Sequence, residues 1–308
     1  MNANADPHSS SVRLCPSLCV FCARSISRPV RERLDRGRCI AHVLAIFEHA
    51  CDLLTPDGDV LALVTPQVGD GPLNIVMDGT AGLFAGVAPG APVTLEPKRL
   101  MGSGLDVDLK QAAVWEPRPD WNRLRGRRAE ILACLPLLRA LCLHQAPPES
   151  LLALLKPTRS RDGLNETIFS AAQKAAAALR DGWRGDLLQL QEGVAGLAGL
   201  GGGLTAAGDD FLVGAMLWAW LAHPAPNLFC RTLTEVAVPS TTTLSVAFLG
   251  AAARGECSAP WHGLLAALSE GVEIKITAAV QEVLAHGATS GADALAGFLH
   301  LALGSEQG

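Results

Sequence analysis

The sequence has 308 residues, of which 49% are hydrophobic and 18% charged, so it can bury a large core, and its length favours two domains. The formal net charge is −5, and no basic stripe carries interleaved aromatic residues, so we expect no nucleic-acid partner. The longest apolar run, Phe211 to Ala222, is too short to cross a bilayer, so we expect no membrane partner either.

Three cysteines at the N-terminal end resemble a cluster-binding motif. Cys15, Cys19 and Cys22 have the C-x3-C-x2-C spacing that holds a four-iron cluster in radical enzymes. Those enzymes surround the cluster with alternating strands and helices, a pattern that the following segment lacks. We therefore expect no iron–sulfur cluster, and we interpret residues 1–28 as a disordered or mis-started extension. The nine cysteines show no paired spacing, which fits a reducing cytoplasm.

The next segment is predicted to contain one helix and then a sheet. Apolar residues at helical spacing between Arg31 and Leu54 predict a helix that ends at Thr55–Gly58. From Asp59 to Trp115, short β-rich runs separated by Gly and Pro clusters predict a small antiparallel sheet or barrel. We therefore expect a β-rich domain with a leading helix at 29–118, with its strands confined to roughly 58–116.

The rest of the chain is predicted to be helical. Apolar residues recur with helical periods after Trp121, and the intervening loops are short enough for a compact bundle. We expect a helical domain at 119–308, so the predicted class is α+β. The predicted helices are 123–143, 149–155, 164–182, 185–198, 209–222, 226–237, 241–254, 259–270, 272–285 and 290–303.

A glycine-rich stretch, GLGGGLTAAGDDFLVG at 199–214, precedes one of these helices. The backbone of Gly201, Gly202 and Gly203, with the Thr205 hydroxyl, could hold an anion at the helix N-terminus. Asp209 and Asp210 would repel that anion unless a Mg²⁺ ion lay between carboxylate and phosphate. A simpler alternative is that the carboxylates stabilise the first helical turn and the glycines allow close packing. The stretch matches neither common phosphate-loop pattern, and it has no lysine.

Two later stretches also place hydroxyl groups at predicted helix starts. PSTTTLS at 239–245 contains Thr242 and Thr243, and ATSGADALAGF at 288–298 contains Thr289, Ser290 and Gly291. Each stretch alone is more typical of a helix cap than of a ligand site. Because three such stretches occur in one helical domain, we expect them to meet in one anion-binding pocket.

These three stretches, together with the VLALVT and GPLNIV runs, resemble the AllH-like family over roughly residues 30–304. Members are encoded beside FdrA-type proteins, and one is a subunit of a three-component oxamate carbamoyltransferase of purine degradation. Ala206 and Ala207 replace the Pro and Ser of the usual loop, and His286-Gly287-Ala288 departs from the usual Gly-His-Thr-Ser-Gly. The resemblance implies FdrA-type partner subunits and a small anionic substrate such as carbamoyl phosphate, with oxamate as acceptor.

Two functional hypotheses remain open at this point. The chain either supplies an anion or metal-phosphate site to the complex, or it is a non-catalytic assembly subunit. Phosphate sites usually place Lys or Arg near the oxygens, and the three stretches contain neither. Arg254 and Lys275 are the nearest cationic residues in the sequence.

Overall fold

The computed structural model describes residues 21–79, 82–102, 104–156 and 165–305. Its N-terminal part is built from strands, with one short helix, α1, at Arg28–Asp35 that has a proline, Pro29, in its first turn. The strands are β1 (Phe21–Ser27), β2 (Cys39–Ile46), β3 (Ala50–Leu54), β4 (Val60–Val64), β5 (Asn74–Met77), β6 (Pro92–Glu96), β7 (Arg99–Gly102), β8 (Leu105–Asp108) and β9 (Ala113–Trp115).

The strands form one sheet that closes on itself. Their order is β5-β4-β3-β2-β6-β7-β8-β1-β9, and β1 also pairs with β5. Most neighbouring pairs are antiparallel, whereas β4–β5, β1–β8 and β1–β9 are parallel. Side chains such as Ile26, Leu63, Leu95 and Val107 fill the interior and are fully buried. The sheet is therefore mixed rather than purely antiparallel.

The predicted helix over 31–54 is wrong. This segment contains only the last part of α1 and then the hairpin β2–β3, in which Val43 pairs with Leu53. Residues in β2 are buried at every second position, Ala41, Val43 and Ala45, while Ile40 and Phe47 are exposed. The apolar spacing fitted both a helix and a strand, and cross-strand pairing decided between them.

The expected extension at residues 1–28 also needs correction. Phe21–Ser27 form β1, which pairs with β5, β8 and β9 inside the sheet. Strands therefore begin well before residue 58, and the expected confinement of strands to 58–116 is wrong. Cys22 is exposed and free, while Cys15 and Cys19 lie outside the described residues.

After Trp115 the described chain is helical, which confirms the α+β class. Helices α2 (Trp121–Gly126) to α11 follow, with 3₁₀ turns at Leu151–Leu155 and Val238–Ser240. The division into two domains remains a prediction. The other helices are α3 (Arg128–Gln145), α4 (Glu166–Trp183), α5 (Leu187–Leu197), α6 (Ala207–Ala222), α7 (Pro226–Ala237), α8 (Thr243–Ala253), α9 (Ala259–Glu270), α10 (Glu273–Leu284) and α11 (Ser290–Ser305).

Helix α6 lies at the centre of the helical part and packs closely against α11. A Cβ atom built on Gly214 would lie 1.7 Å from the backbone oxygen of Ala294, and one on Gly297 would lie 1.9 Å from that of Phe211. The two backbones can approach this closely only because both positions are glycine. None of the helices in the described ranges is long and apolar enough to span a membrane.

The strand part and the helical part meet at α8 and at the loop before β5. Leu244 of α8 packs against Val60 and Leu73. The Ala259 N–H donates to the Asp70 carbonyl at 2.9 Å, which fixes the start of α9 to the same loop. Pro72 therefore lies next to the helices that carry the candidate site.

Candidate functional site

Asp209 lies beneath the glycine-rich loop and holds it to the start of α8. One carboxylate oxygen accepts a hydrogen bond from the Gly199 N–H at 2.9 Å, and the other accepts from the Thr241 hydroxyl. The side chain is buried. Because both oxygens already have partners within the chain, this geometry favours a structural role for Asp209.

Asp210, one residue later, lines a cavity instead. Thr205, Ser290 and Gly291 line the same cavity, and the Thr205 and Ser290 hydroxyl oxygens lie 3.3 Å apart. Burial raises the pKa of Asp210 to about 7; hydrogen bonding by Ser290 and Thr205 opposes this rise, and the charges of Asp293 and Asp209 add to it. Asp210 is therefore divided between its acid and its ionised form at neutral pH.

The cavity has a volume of about 110 Å³ and lies between the loop at Pro72 and helices α6, α8, α9, α10 and α11. Trp261 and Val283 contribute apolar walls, and Glu256, Cys257 and Ser258 line it from the connection between α8 and α9. No Lys or Arg is among the described residues that line it. Its polar groups are therefore acidic or neutral.

His286, two residues after the end of α10, also lines the cavity. Burial lowers the pKa of its imidazole, so the ring is neutral at pH 7. Within the described ranges its ring nitrogens have no hydrogen-bond partner, so they can face a ligand as one donor and one acceptor.

Two family models match the chain and cover both sides of this cavity. The first, described as oxamate carbamoyltransferase subunit AllH, matches residues 197–302, and the second, the AllH family N-terminal domain, matches residues 22–114. The chain belongs to the AllH family. This supports a role for the chain as a carbamoyltransferase subunit within a complex. The AllH models include every cavity residue named above, since Pro72 lies in the second match and the others lie in the first.

No curated protein and no solved structure matches the chain. The assignment to the AllH family therefore depends on the two family models, and residues 115–196 lie outside both.

The three stretches that the sequence singled out do lie together. Besides the Thr205–Ser290 contact, the Thr242 hydroxyl donates to the Leu204 carbonyl at 2.7 Å and accepts from the Ser245 N–H at 3.1 Å. Thr242 is thus the N-cap of α8. Of the predicted ligand residues, only Thr205, Ser290 and Gly291 line the cavity, together with Asp210.

The other predicted site residues lie beside the cavity, outside its lining. Gly201, Gly202 and Gly203 are exposed, and their N–H groups have no partner in the part of the chain that is described. Thr243 is exposed in the first turn of α8, and the carbonyl of Thr289 accepts from the Asp293 N–H. No group of three or more described His, Cys, Asp or Glu side chains is arranged to hold a metal ion.

Sequence reasoning missed Glu256 and did not assign His286. The Glu256 carboxylate pairs with the Arg254 guanidinium through two hydrogen bonds, at 2.9 and 2.8 Å, and its side chain is only 10% exposed. The Arg254-Gly255-Glu256 run directly after α8 carried this signal, because the pair closes across a single glycine. His286 departs from the family's usual position, so the motif alone did not point to it.

Proposed function

We propose that this chain supplies a substrate pocket to a carbamoyltransferase that uses carbamoyl phosphate and oxamate or a similar small amide acid. The observation that carries the proposal is the position of Asp210, Thr205 and Ser290 on one cavity. The family description supports the reaction class and the acceptor.

The chemistry of the cavity suits the amide end of the acceptor. A water molecule needs about 10–15 Å³ on the same scale, so about 110 Å³ admits a ligand of several non-hydrogen atoms. The Asp210 carboxylate can accept an amide N–H, and the Thr205 and Ser290 hydroxyls can bond the amide oxygen. A phosphate dianion would meet Asp210 and Glu256 without a lining cation, so we place the phosphate outside this cavity.

Asp210 is also suited to move the proton that the reaction releases. The acceptor nitrogen attacks the carbonyl carbon of carbamoyl phosphate, an N–C bond forms, the C–O bond to phosphate breaks, and the nitrogen loses a proton. A carboxylate with a pKa of about 7 can take that proton at neutral pH. We propose Asp210 as the general base, with neutral His286 as a hydrogen-bonding partner of the substrate.

We keep the expected Mg²⁺ site in this proposal, but with one carboxylate ligand instead of two. Magnesium is commonly held by one or two carboxylates together with substrate phosphate oxygens. Asp209 is committed to Gly199 and Thr241, so Asp210 is the one of the pair left for Mg²⁺; since we place the phosphate outside this cavity, Mg²⁺ at Asp210 is an alternative to its role as general base. An anion site at the exposed amides of Gly201–Gly203 likewise remains a prediction, supported by the lack of partners for these N–H groups among the described residues.

A second candidate function, assembly of the complex, is favoured by exposed apolar side chains on the helices. Leu188 is 71% exposed and Ile274 78% exposed, and Leu187 and Leu228 are also exposed. Such residues suit contacts with partner subunits. We propose FdrA-type subunits as those partners, and co-purification from cells that express the neighbouring subunits tests this.

The pocket is tested by calorimetric titration of oxamate into the purified full-length chain. We expect saturable binding that Asp210→Asn and Ser290→Ala weaken by about tenfold, or about 1.4 kcal/mol each. Thr232→Val on α7 is the matched control, since its hydroxyl bonds only the Leu228 carbonyl of its own helix. If the chain assembles with its partners but oxamate binding is absent, or insensitive to both cavity variants, the assembly role replaces the pocket.

A further inference from the structure

A second cavity of about 490 Å³ lies between the strand part and α8. It adjoins the candidate pocket, because Pro72 and Glu256 line both. We name it the arginine recess, after its three arginines; its charged lining consists of Glu32, Arg33, Arg36, Asp59, Arg254 and Glu256. Arg36 lies at the end of α1 and Arg254 at the end of α8, so the recess brings together arginines from the two parts of the chain.

The three arginines of the recess differ in how fully their guanidinium groups are paired with carboxylates of the chain. Arg33 is nearly buried and donates to Asp57 at 2.8 Å and to Asp59 at 2.7 Å, so it serves to fix the turn between β3 and β4. The Arg36 side chain is 68% exposed, and its nearest carboxylate oxygen, on Asp59, is 3.8 Å away and already accepts from Arg33. The Arg36 guanidinium is therefore largely free to bind a ligand.

Arg254 uses only part of its hydrogen-bonding capacity in its pair with Glu256. Its Nε–H and one N–H of Nη2 donate to the two carboxylate oxygens of Glu256, and these two bonds use two of the five guanidinium N–H donors. Its Nη1 lies beside Gly250, where a Cβ would be 3.6 Å away, and Gly250 itself lines the recess. The side chain is 54% exposed, so the remaining donors can meet a ligand in the recess while the Glu256 pair is kept.

We propose that the arginine recess binds a small oxyanion, a phosphate or a carboxylate, with Arg36 and Arg254 as its donors. Guanidinium groups match the oxygen geometry of both anions. The recess provides the cationic groups that the Asp210 cavity lacks, on the other side of Glu256. The inference rests on the proposed function only where it identifies this anion as the phosphate end of carbamoyl phosphate.

The test is calorimetric titration of inorganic phosphate into the full-length chain at low ionic strength. We expect saturable binding that weakens with added salt and falls at least tenfold in Arg36→Gln and in Arg254→Gln. Arg231→Gln is the matched control, because Arg231 on α7 is exposed and, within the described ranges, pairs only with Glu235 at 3.6 Å. Glu256→Gln should tighten phosphate binding, since it removes the competing charge beside Arg254, and a misfolded variant would not show such a gain.

Oxamate as a competitor identifies the source of the anion. Displacement of phosphate with the same dependence on Arg254 means that the recess takes carboxylates as well, and no displacement means that it selects phosphate; both results support the site. Phosphate binding should persist in Asp210→Asn, so failure of the proposed pocket is seen separately. The inference is overturned if phosphate does not bind, if both arginine variants bind like the parent, or if Glu256→Gln fails to tighten binding.

Discussion

Asp209 and Asp210 are adjacent carboxylates with opposite surroundings, so the same substitution should have opposite effects on stability. Burial raises the pKa of Asp210 from 3.8 to about 7. The folded state then binds more protons than the unfolded state between about pH 4 and 7, so the contribution of Asp210 to stability falls as pH rises through that window. Above pH 7 the folded protein carries the full cost of a buried charge.

The size of this cost follows from the pKa. At 1.36 kcal/mol per pKa unit the rise corresponds to about 4 kcal/mol, and solvent in the cavity lowers this to about 2–4 kcal/mol. Asp210→Asn removes the charge but keeps the shape. We therefore expect it to raise the melting temperature at pH 8, by roughly 2 °C per kcal/mol, and by less than half as much at pH 5, which lies only about one unit above the unfolded pKa of 3.8.

Asp209→Asn is the matched comparison. The amide keeps one acceptor oxygen but cannot accept from both the Gly199 N–H and the Thr241 hydroxyl. We expect a loss of about 1–3 kcal/mol at both pH values. Thermal unfolding of parent and variants at pH 5 and 8 measures the differences. Taking each variant against the parent removes the effect of Asp52, whose pKa burial also raises to about 6. If Asp210→Asn destabilises the chain at both pH values as Asp209→Asn does, our account of Asp210 is wrong.

Three further predictions concern packing, the N-terminal segment and the cavity. Gly214→Ala should destabilise the chain by more than about 1–3 kcal/mol, because its Cβ would lie 1.7 Å from a backbone oxygen of α11. Gly202→Ala, whose Cβ would have nothing within 4 Å, should change the free energy of unfolding by no more than about 0.5 kcal/mol, and chemical denaturation measures both. Deleting residues 1–20 should leave the melting temperature and complex formation unchanged. Deleting residues 1–28 removes β1 and should abolish cooperative unfolding. Equal behaviour of the two truncations would contradict the role of β1. His286→Gln should weaken oxamate binding by about tenfold, or 1.4 kcal/mol, with an unchanged circular dichroism spectrum, and unchanged affinity would remove His286 from the site.

The helical part was predictable from the sequence because its signals are local. Helix α6 begins at Ala207, two residues before the predicted start at 209, and α7 and α9 match their predicted bounds. Apolar spacing and helix-start residues act within one or two turns, so they can be read along the chain. The β2–β3 hairpin was missed because strand pairing joins residues that local spacing does not relate.

Part of the cavity lining, Thr205, Asp210, Ser290 and Gly291, could be named from the sequence, but the surroundings of each side chain could not. Successive helical residues point about 100° apart, so Asp209 and Asp210 had to face different surroundings. The sequence does not show which one faces the cavity, because that depends on where α11 and its Ser290 pack against α6. The contributions of Pro72 and Glu256 depend likewise on how α8 meets the strand part, a contact between distant segments.

The most direct test of the central claim is the oxamate-dependent transfer rate of the assembled complex as a function of pH. We expect the rate of the parent complex to rise with pH as Asp210 ionises, with a midpoint near pH 7. Asp210→Asn, and Asp210→Asn combined with Thr205→Ala, should lose nearly all activity while the complex still assembles, and a folded Asp209→Asn should keep the pH profile. Full activity of a complex that carries Asp210→Asn would contradict the account.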